Sequence, residues 1–263
     1  MVNRFKKYIK VWLMMSRNSF LAVLSNKTIF FIFLFGKILR FVFFTLFLVF
    51  LVQGANEVAG YGINEMIFFF LTFNLIDTAA QFLFRDVYRF RQKVISGDLD
   101  LTLVKPINSL FRSLMGGADF IDLIILPPLF YAVFYFGAML NPSPEQIFWY
   151  LLLIVNGLLI ATAFHVAVIS LGIITLEIDH SVMIYRDLTN LARFPVDIYK
   201  EPLKGILTFL VPVGVMITIP AKAMMGLVSP IGVVGSMILG GSLFFISVKF
   251  WDYALRHYTS ASS

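Results

Sequence analysis

The sequence contains no cysteine, which rules out a disulfide framework, a thiolate metal site and a cysteine nucleophile. Charge is scarce too: Asp, Glu, Lys and Arg supply 14% of the 263 residues, where soluble domains carry about 25%. No GxxxxGK[ST] stretch exists, so any ATP that powers this protein is bound on another chain. HExxH and GxSxG are missing, and His165, His180 and His257 stand far apart, so neither a metal site nor a hydrolase site is expected. No internal repeat, low-complexity segment or removable signal peptide is read.

Apolar residues dominate instead, at 59% of the chain with 16% aromatic and a mean hydropathy of +0.88. Apolar runs of about 20 residues recur, each long enough to cross a bilayer. The expected fold class is therefore all-α: one polytopic membrane domain over 1–263, with six spans near 28–52, 64–84, 112–138, 147–172, 205–220 and 231–250. The basic residues support the count. Of 21 Lys and Arg, eighteen fall on the inner connections, only Lys222 on an outer one, and Lys37 and Arg40 inside the first span. Both termini are expected in the cytoplasm, and the net charge of +6 reflects this topological bias rather than a nucleic-acid partner.

Residues 4–15 set Phe5, Tyr8, Ile9 and Trp12 at helical spacing with Lys6, Lys7 and Lys10 off that face. They form either a helix lying on membrane lipid in the headgroup plane or a basic flank that only sets topology. The fifth span is interrupted by Pro212 and Gly214 and closed by Pro220; at about 22 Å of helix it is short for a crossing. The chain around 220–230 is expected to re-enter the outer leaflet, packed on protein because lipid cannot satisfy its open backbone. Gly232, Gly235, Gly240 and Gly241 in the last span either allow close helix approach or are simply tolerated.

Two inner connections are long. The first, 85–111, begins with a helical extension carrying Arg85, Arg89 and Lys93 on one face, then reads VISGDLDLTLVKPIN over 94–108. Gly97 suits a left-handed cap, Asp98 and Asp100 favour a helix N-terminus, and Pro106 forces Lys105 out of the helix, so a helix of at most two turns is favoured. The alternation of Leu99, Leu101 and Leu103 with polar residues would also suit a short extended piece. The second, 173–204, is amphipathic. These two loops point to a cytoplasmic partner, or else only cap the bundle.

Charges within the spans are the other candidate site. Counted from the inner ends, Lys37, Arg40, Asp77, Asp119 and Asp122 fall in one slab of the inner leaflet. They are expected to pair between the first three helices; an anionic headgroup or substrate path, or snorkelling of Lys37 and Arg40, are the alternatives.

ISGDLDLTLVKPINSLF resembles the GxLxxLLxxPI loop between the second and third spans of ABC-2 type permeases, the membrane subunits of one class of ATP-binding cassette exporters. The block from Glu177 to Gly226 and the ending FWDYALRHYTSASS resemble a bacterial branch of the same family. The resemblance implies an interfacial N-terminal helix, six spans, a coupling helix and an outer re-entrant element. It also implies a bacterial inner-membrane location and export driven by separately encoded ATPase subunits, which hold the ATP and its magnesium. A second permease subunit, identical or related, completes the expected assembly. Carried over, the coupling element is Gly97, Asp98, Leu99, Asp100, Leu101, Leu103, Lys105 and Pro106. No catalysis is expected on this chain. A self-sufficient channel or secondary transporter is the alternative; it needs no partner, and the lack of inverted repeats speaks against it.

Overall fold

The computed structural model describes residues 2–175 and 178–259. Leu176 and Glu177, in the expected second inner loop, and the last four residues of the tail lie outside the described residues. Twelve helices and two short 3-10 turns, Arg85–Arg89 and Val196–Ile198, follow one another among the described residues, and the only strand-like feature among them is an isolated bridge between Val58 and Tyr61.

Helix α1 (Val2–Leu24) precedes α2 (Lys27–Ala55), whose first turn is capped by Asn26 accepting from the Ile29 amide at 3.2 Å. Helix α3 (Ile63–Phe84) is the centre of the bundle and is buried along most of its length, from Met66 to Phe84. That uniform burial explains why its apolar residues show no one-sided pattern: neighbours cover every face. Beyond Phe84 the expected continuous extension tightens into a 3-10 turn over Arg85–Arg89 and resumes as α4 (Phe90–Ile95). Two short helices, α5 (Asp98–Leu103) and α6 (Ser109–Leu114), lead into α7 (Phe120–Met139).

The third span thus starts later than the expected residue 112. Gly116 and Gly117 break the chain; a Cβ on Gly116 would collide with Asp86, so only glycine permits that approach. Asp119 then caps α7 by accepting from the Ile121 amide at 2.8 Å and the Asp122 amide at 3.3 Å. Asp119 therefore sits at the edge of a span rather than about two turns deep.

Helix α8 (Pro144–Thr175) returns alongside α3 and is clasped by α12 (Pro230–Arg256). Gly240 lies so close to Asn156 that a side chain would not fit, and Asn156 Nδ2 donates to Ser236 O at 2.9 Å. The last-span glycines thus include one that sets helix approach, whereas Gly235 and Gly241 face open space.

Residues 173–204 depart from expectation. Helix α9 (Ile178–Leu191) turns back along α8: the Tyr185 ring lies 4.8 Å from His165 and 5.5 Å from Phe164. The chain then places Arg193 over Phe44 and Phe73, packs Phe194 on Phe44, and brings Asp197 to Tyr61 just ahead of α3. Residues 178–196 therefore run from the α5 end of the bundle to the Tyr61 end and are not a loop confined to the inner side. Their polarity hid them from a hydropathy reading. One face is buried through Tyr185 and Thr189, while Arg186 and Asp187 are exposed on the other.

The expected fifth span at 205–220 is corrected accordingly. It is an elbow of two arms, α10 (Leu203–Leu210) and α11 (Gly214–Met224), bent by 76° at Val211–Val213. Lys204 from the first arm and Lys222 from the second both reach Asp197, at 2.9 and 3.0 Å, so the element leaves and returns to one end. Six traverses with a re-entrant element between the fifth and sixth remain, but the fifth is α9 and its extension. Lys200 and Lys204 move to the Tyr61 end and Arg186 and Arg193 into a traverse, leaving fourteen basic residues against three. The bias survives the correction.

Candidate coupling site and intramembrane charge cluster

The short insert between α4 and α6 is helical, as favoured over the extended reading. Gly97 adopts φ +75°, a left-handed conformation that turns the chain sharply between α4 and α5. Asp98 and Asp100 occupy the first turn of α5, where the helix dipole favours negative charge. Ser96 Oγ donates to Asp98 Oδ2 at 2.8 Å and Thr102 Oγ1 to Asp98 O at 3.0 Å, which stiffens the turn.

Leu99 points inward and is 1% exposed within the main core, whereas Leu101 is 59% and Val104 80% exposed. With Ile95 and Leu103 they form an apolar surface at the end of the bundle, flanked by exposed Lys105 and Pro106. The expected coupling residues thus split into an anchor, Leu99, a hinge, Gly97, and a surface, Leu101 and Leu103, which Val104 extends.

Helix α1 fixes this element in a way that nothing local in the sequence signalled. Lys7 Nζ donates to Pro106 O at 2.9 Å, the Asn108 amide donates to Tyr8 Oη at 3.1 Å, and the Tyr8 ring meets Phe111 edge-on at 4.8 Å. Farther along, the Ala118 amide donates to Ser16 Oγ at 3.2 Å. The opposite side of α1 leaves Phe5, Ile9, Leu13 and Met14 exposed beside Lys6, Lys10 and Arg17. The residues 4–15 read as one apolar face therefore divide: Tyr8, together with Lys7, meets the 85–111 connection, while Phe5 and Ile9 stand exposed beside Lys6 and Lys10.

The five expected intramembrane charges do not form a single cluster. Lys37 pairs with Asp122 across α2 and α7. Asp119 takes Arg85 instead, at 3.1 Å, a partner from the end of α3 that sequence position alone would not choose. Asp77 accepts from Gln81 Nε2 at 2.7 Å, and the positive charges acting on it are those of Arg40, Arg186 and Lys37. Arg40 makes no ion pair among the described residues. Lys93, on the basic face of the extension, turns back to Asp86.

Lys37, Arg40 and Asp122 line one cavity of about 390 Å³ between α2, α3 and α7, which Arg193 also enters. Its wall is largely aromatic and aliphatic, from Phe41, Phe44, Phe70 and Phe73 to Ile125 and Leu129, with Asn74 and Gln81 as further polar groups.

The sequence model of a family described as ABC-2 family transporter protein matches residues 11–262. No curated protein matches the chain, and no solved structure does.

Proposed function

The chain belongs to the ABC-2 transporter family, and on that premise we propose that it is the permease subunit of an ATP-driven exporter, moved through α5 by a separate ATPase subunit. Membership makes it a transporter membrane component associated with ATP-binding cassette partners; the export direction and the role of α5 are our reading. The observation that carries it is the surface of Leu101, Leu103 and Val104, exposed on an element that Gly97 orients, Leu99 anchors and α1 straps in place. A loop that merely closed a bundle would have no reason to hold apolar side chains away from its core. A soluble partner with an apolar groove covers them at low entropic cost, because the surface is preorganised.

In this reading α5 and both termini face the cytoplasm of a bacterium, ATP and magnesium are bound wholly by the ATPase, and a second permease subunit completes the pathway. Co-expression with a candidate ATP-binding cassette ATPase from the same organism tests it. Leu101→Asp with Val104→Asp should abolish co-purification of the ATPase while leaving membrane insertion and the melting temperature unchanged. Transport by the purified chain alone, the behaviour of a channel or secondary transporter, would sink the proposal.

A further inference from the structure

We propose that the cavity between α2, α3 and α7 is a binding site for an anionic amphiphile, a singly charged phosphate or carboxylate head joined to an alkyl chain. Three cations, Lys37, Arg40 and Arg193, line it against one carboxylate, Asp122, which Lys37 already neutralises. Arg40 and Arg193 act on each other repulsively, and Asp77 offsets only one of their charges. Neither guanidinium has a carboxylate at ion-pair distance among the described residues. The Arg193 guanidinium rests on the faces of Phe44 and Phe73, at 5.6 and 5.7 Å.

A surplus cation in the apolar part of a membrane protein is costly unless an anion meets it. Guanidinium groups supply the forked donors that phosphate and carboxylate oxygens accept. Asn74 and Gln81 stand nearby, but each amide already donates once, Asn74 Nδ2 to Phe70 O and Gln81 Nε2 to Asp77 Oδ2, both at 2.7 Å, which leaves one N–H of each for a ligand.

The remaining wall decides what the anion is attached to. Phe41, Phe73 and Leu129 offer hydrocarbon, and Ile38 and Ile124, both exposed, line the cavity as well. A volume near 390 Å³ lies within the range of about 300–1,000 Å³ typical of small-molecule sites. It holds a head and the start of one chain, with the rest of the chain lying along the groove. A free inorganic anion would leave this apolar wall without a partner, and an uncharged lipid would leave the arginines without one.

The site concerns ligand binding and does not depend on ATPase coupling, so its test can fail while the proposed function stands, and the reverse. The full-length chain, delipidated in detergent, is mixed with equal amounts of phosphatidylglycerol and phosphatidylcholine bearing the same acyl chains, and bound lipid is counted by native mass spectrometry. We expect a preference for phosphatidylglycerol of about tenfold, the effect of one charge-assisted contact. Arg40→Gln with Arg193→Gln should erase that preference. Ala132→Trp, which keeps both arginines but fills the apolar part of the cavity, should lower retention of both lipids. Equal retention of the two lipids by the unaltered chain would overturn the site, and so would unchanged binding in Ala132→Trp; the latter holds even if the double arginine variant fails to fold. Adding ATP to the complex with its ATPase then identifies the source. Loss of bound phosphatidylglycerol on turnover marks a transported cargo, and retention marks a resident lipid; either outcome supports the site.

Discussion

The Tyr61 hydroxyl donates to Asp197 Oδ2 at 2.9 Å, joining the segment before α3 to the end of the fifth traverse across 136 residues of sequence. Lys204 and Lys222 complete the contact on the same carboxylate. Burial alone would raise the Asp197 carboxyl, but hydrogen bonds from Lys204, Lys222 and Tyr61 outweigh it and hold the group below the usual carboxylate range. Because the folded value is depressed, the clasp contributes fully above the ordinary value of about 4 and is lost only as pH falls through the lower folded value.

Asp197→Asn leaves two lysines facing a neutral amide, and Tyr61→Phe removes one hydrogen bond. We expect losses of about 1–2 kcal/mol and about 1 kcal/mol respectively. At pH 7 these read as melting-temperature drops of a few degrees in detergent. Below about pH 4 the Asp197→Asn difference should shrink, since the native carboxyl is then being protonated.

The corrected route of residues 178–204 can be checked directly because the chain is free of cysteine. Single cysteines at Asn56, Lys200 and Val104 are labelled with a membrane-impermeant maleimide in oriented vesicles. Lys200→Cys should react from the same side as Asn56→Cys and from the side opposite Val104→Cys. Labelling of Lys200→Cys together with Val104→Cys would restore the inner loop.

Lys37 and Asp122 bridge α2 and α7, and α2 has few other buried residues to hold it. Asp122→Lys or Lys37→Asp should each lower the yield of folded protein by placing like charges together at a buried site. The exchange Lys37→Asp with Asp122→Lys should recover most of it, as measured by gel filtration and thermal midpoint. Failure of the exchange would mean that geometry beyond the charge pair is at stake.

Gly157 packs on the elbow: a Cβ there would lie 2.5 Å from Met216 O and 3.0 Å from Ile76 Cδ1. The nearest atom is backbone and cannot rotate away. Gly157→Val should cost about 1–3 kcal/mol through overpacking, seen as a lower thermal midpoint and as earlier proteolysis within 203–224.

Gly97→Val forces a β-branched residue into the left-handed region, a strain of roughly 1–2 kcal/mol, and should misdirect α5 without unfolding the spans. Leu99→Asp places a carboxylate where Leu99 is 1% exposed and should be the more damaging of the two. In both, ATP hydrolysis by the reconstituted complex should separate from transport while membrane insertion persists. Normal transport in both variants would reduce the insert to a connecting loop.

The family, the membrane class and the short helix α5 were legible because each rests on local signals. Apolar runs of sufficient length report spans, Gly97 and Pro106 delimit α5, and Asp98 and Asp100 mark its start. The bend at Val211–Val213 was also announced, by Pro212 and Gly214. The fifth traverse was not legible, since α9 mixes Arg186, Asp187 and Tyr185 in one helix. A helix with one buried face and one exposed polar face carries the same composition as a solvated amphipathic loop.

Pairing was the least legible property. The charges were located by sequence, but Arg85 rather than Lys37 or Arg40 meets Asp119, and Arg193 reaches the α2–α3–α7 cavity from a segment read as a loop. Lys7 and Tyr8 hold residues about a hundred positions away. Sequence by itself determined the five strongly apolar segments that enter the bilayer and where the chain breaks, because hydrophobic transfer and backbone dihedral limits act residue by residue. Only the tertiary structure decided which ends of those segments coincide and which charges meet, because contacts between distant residues depend on the packing of the whole bundle.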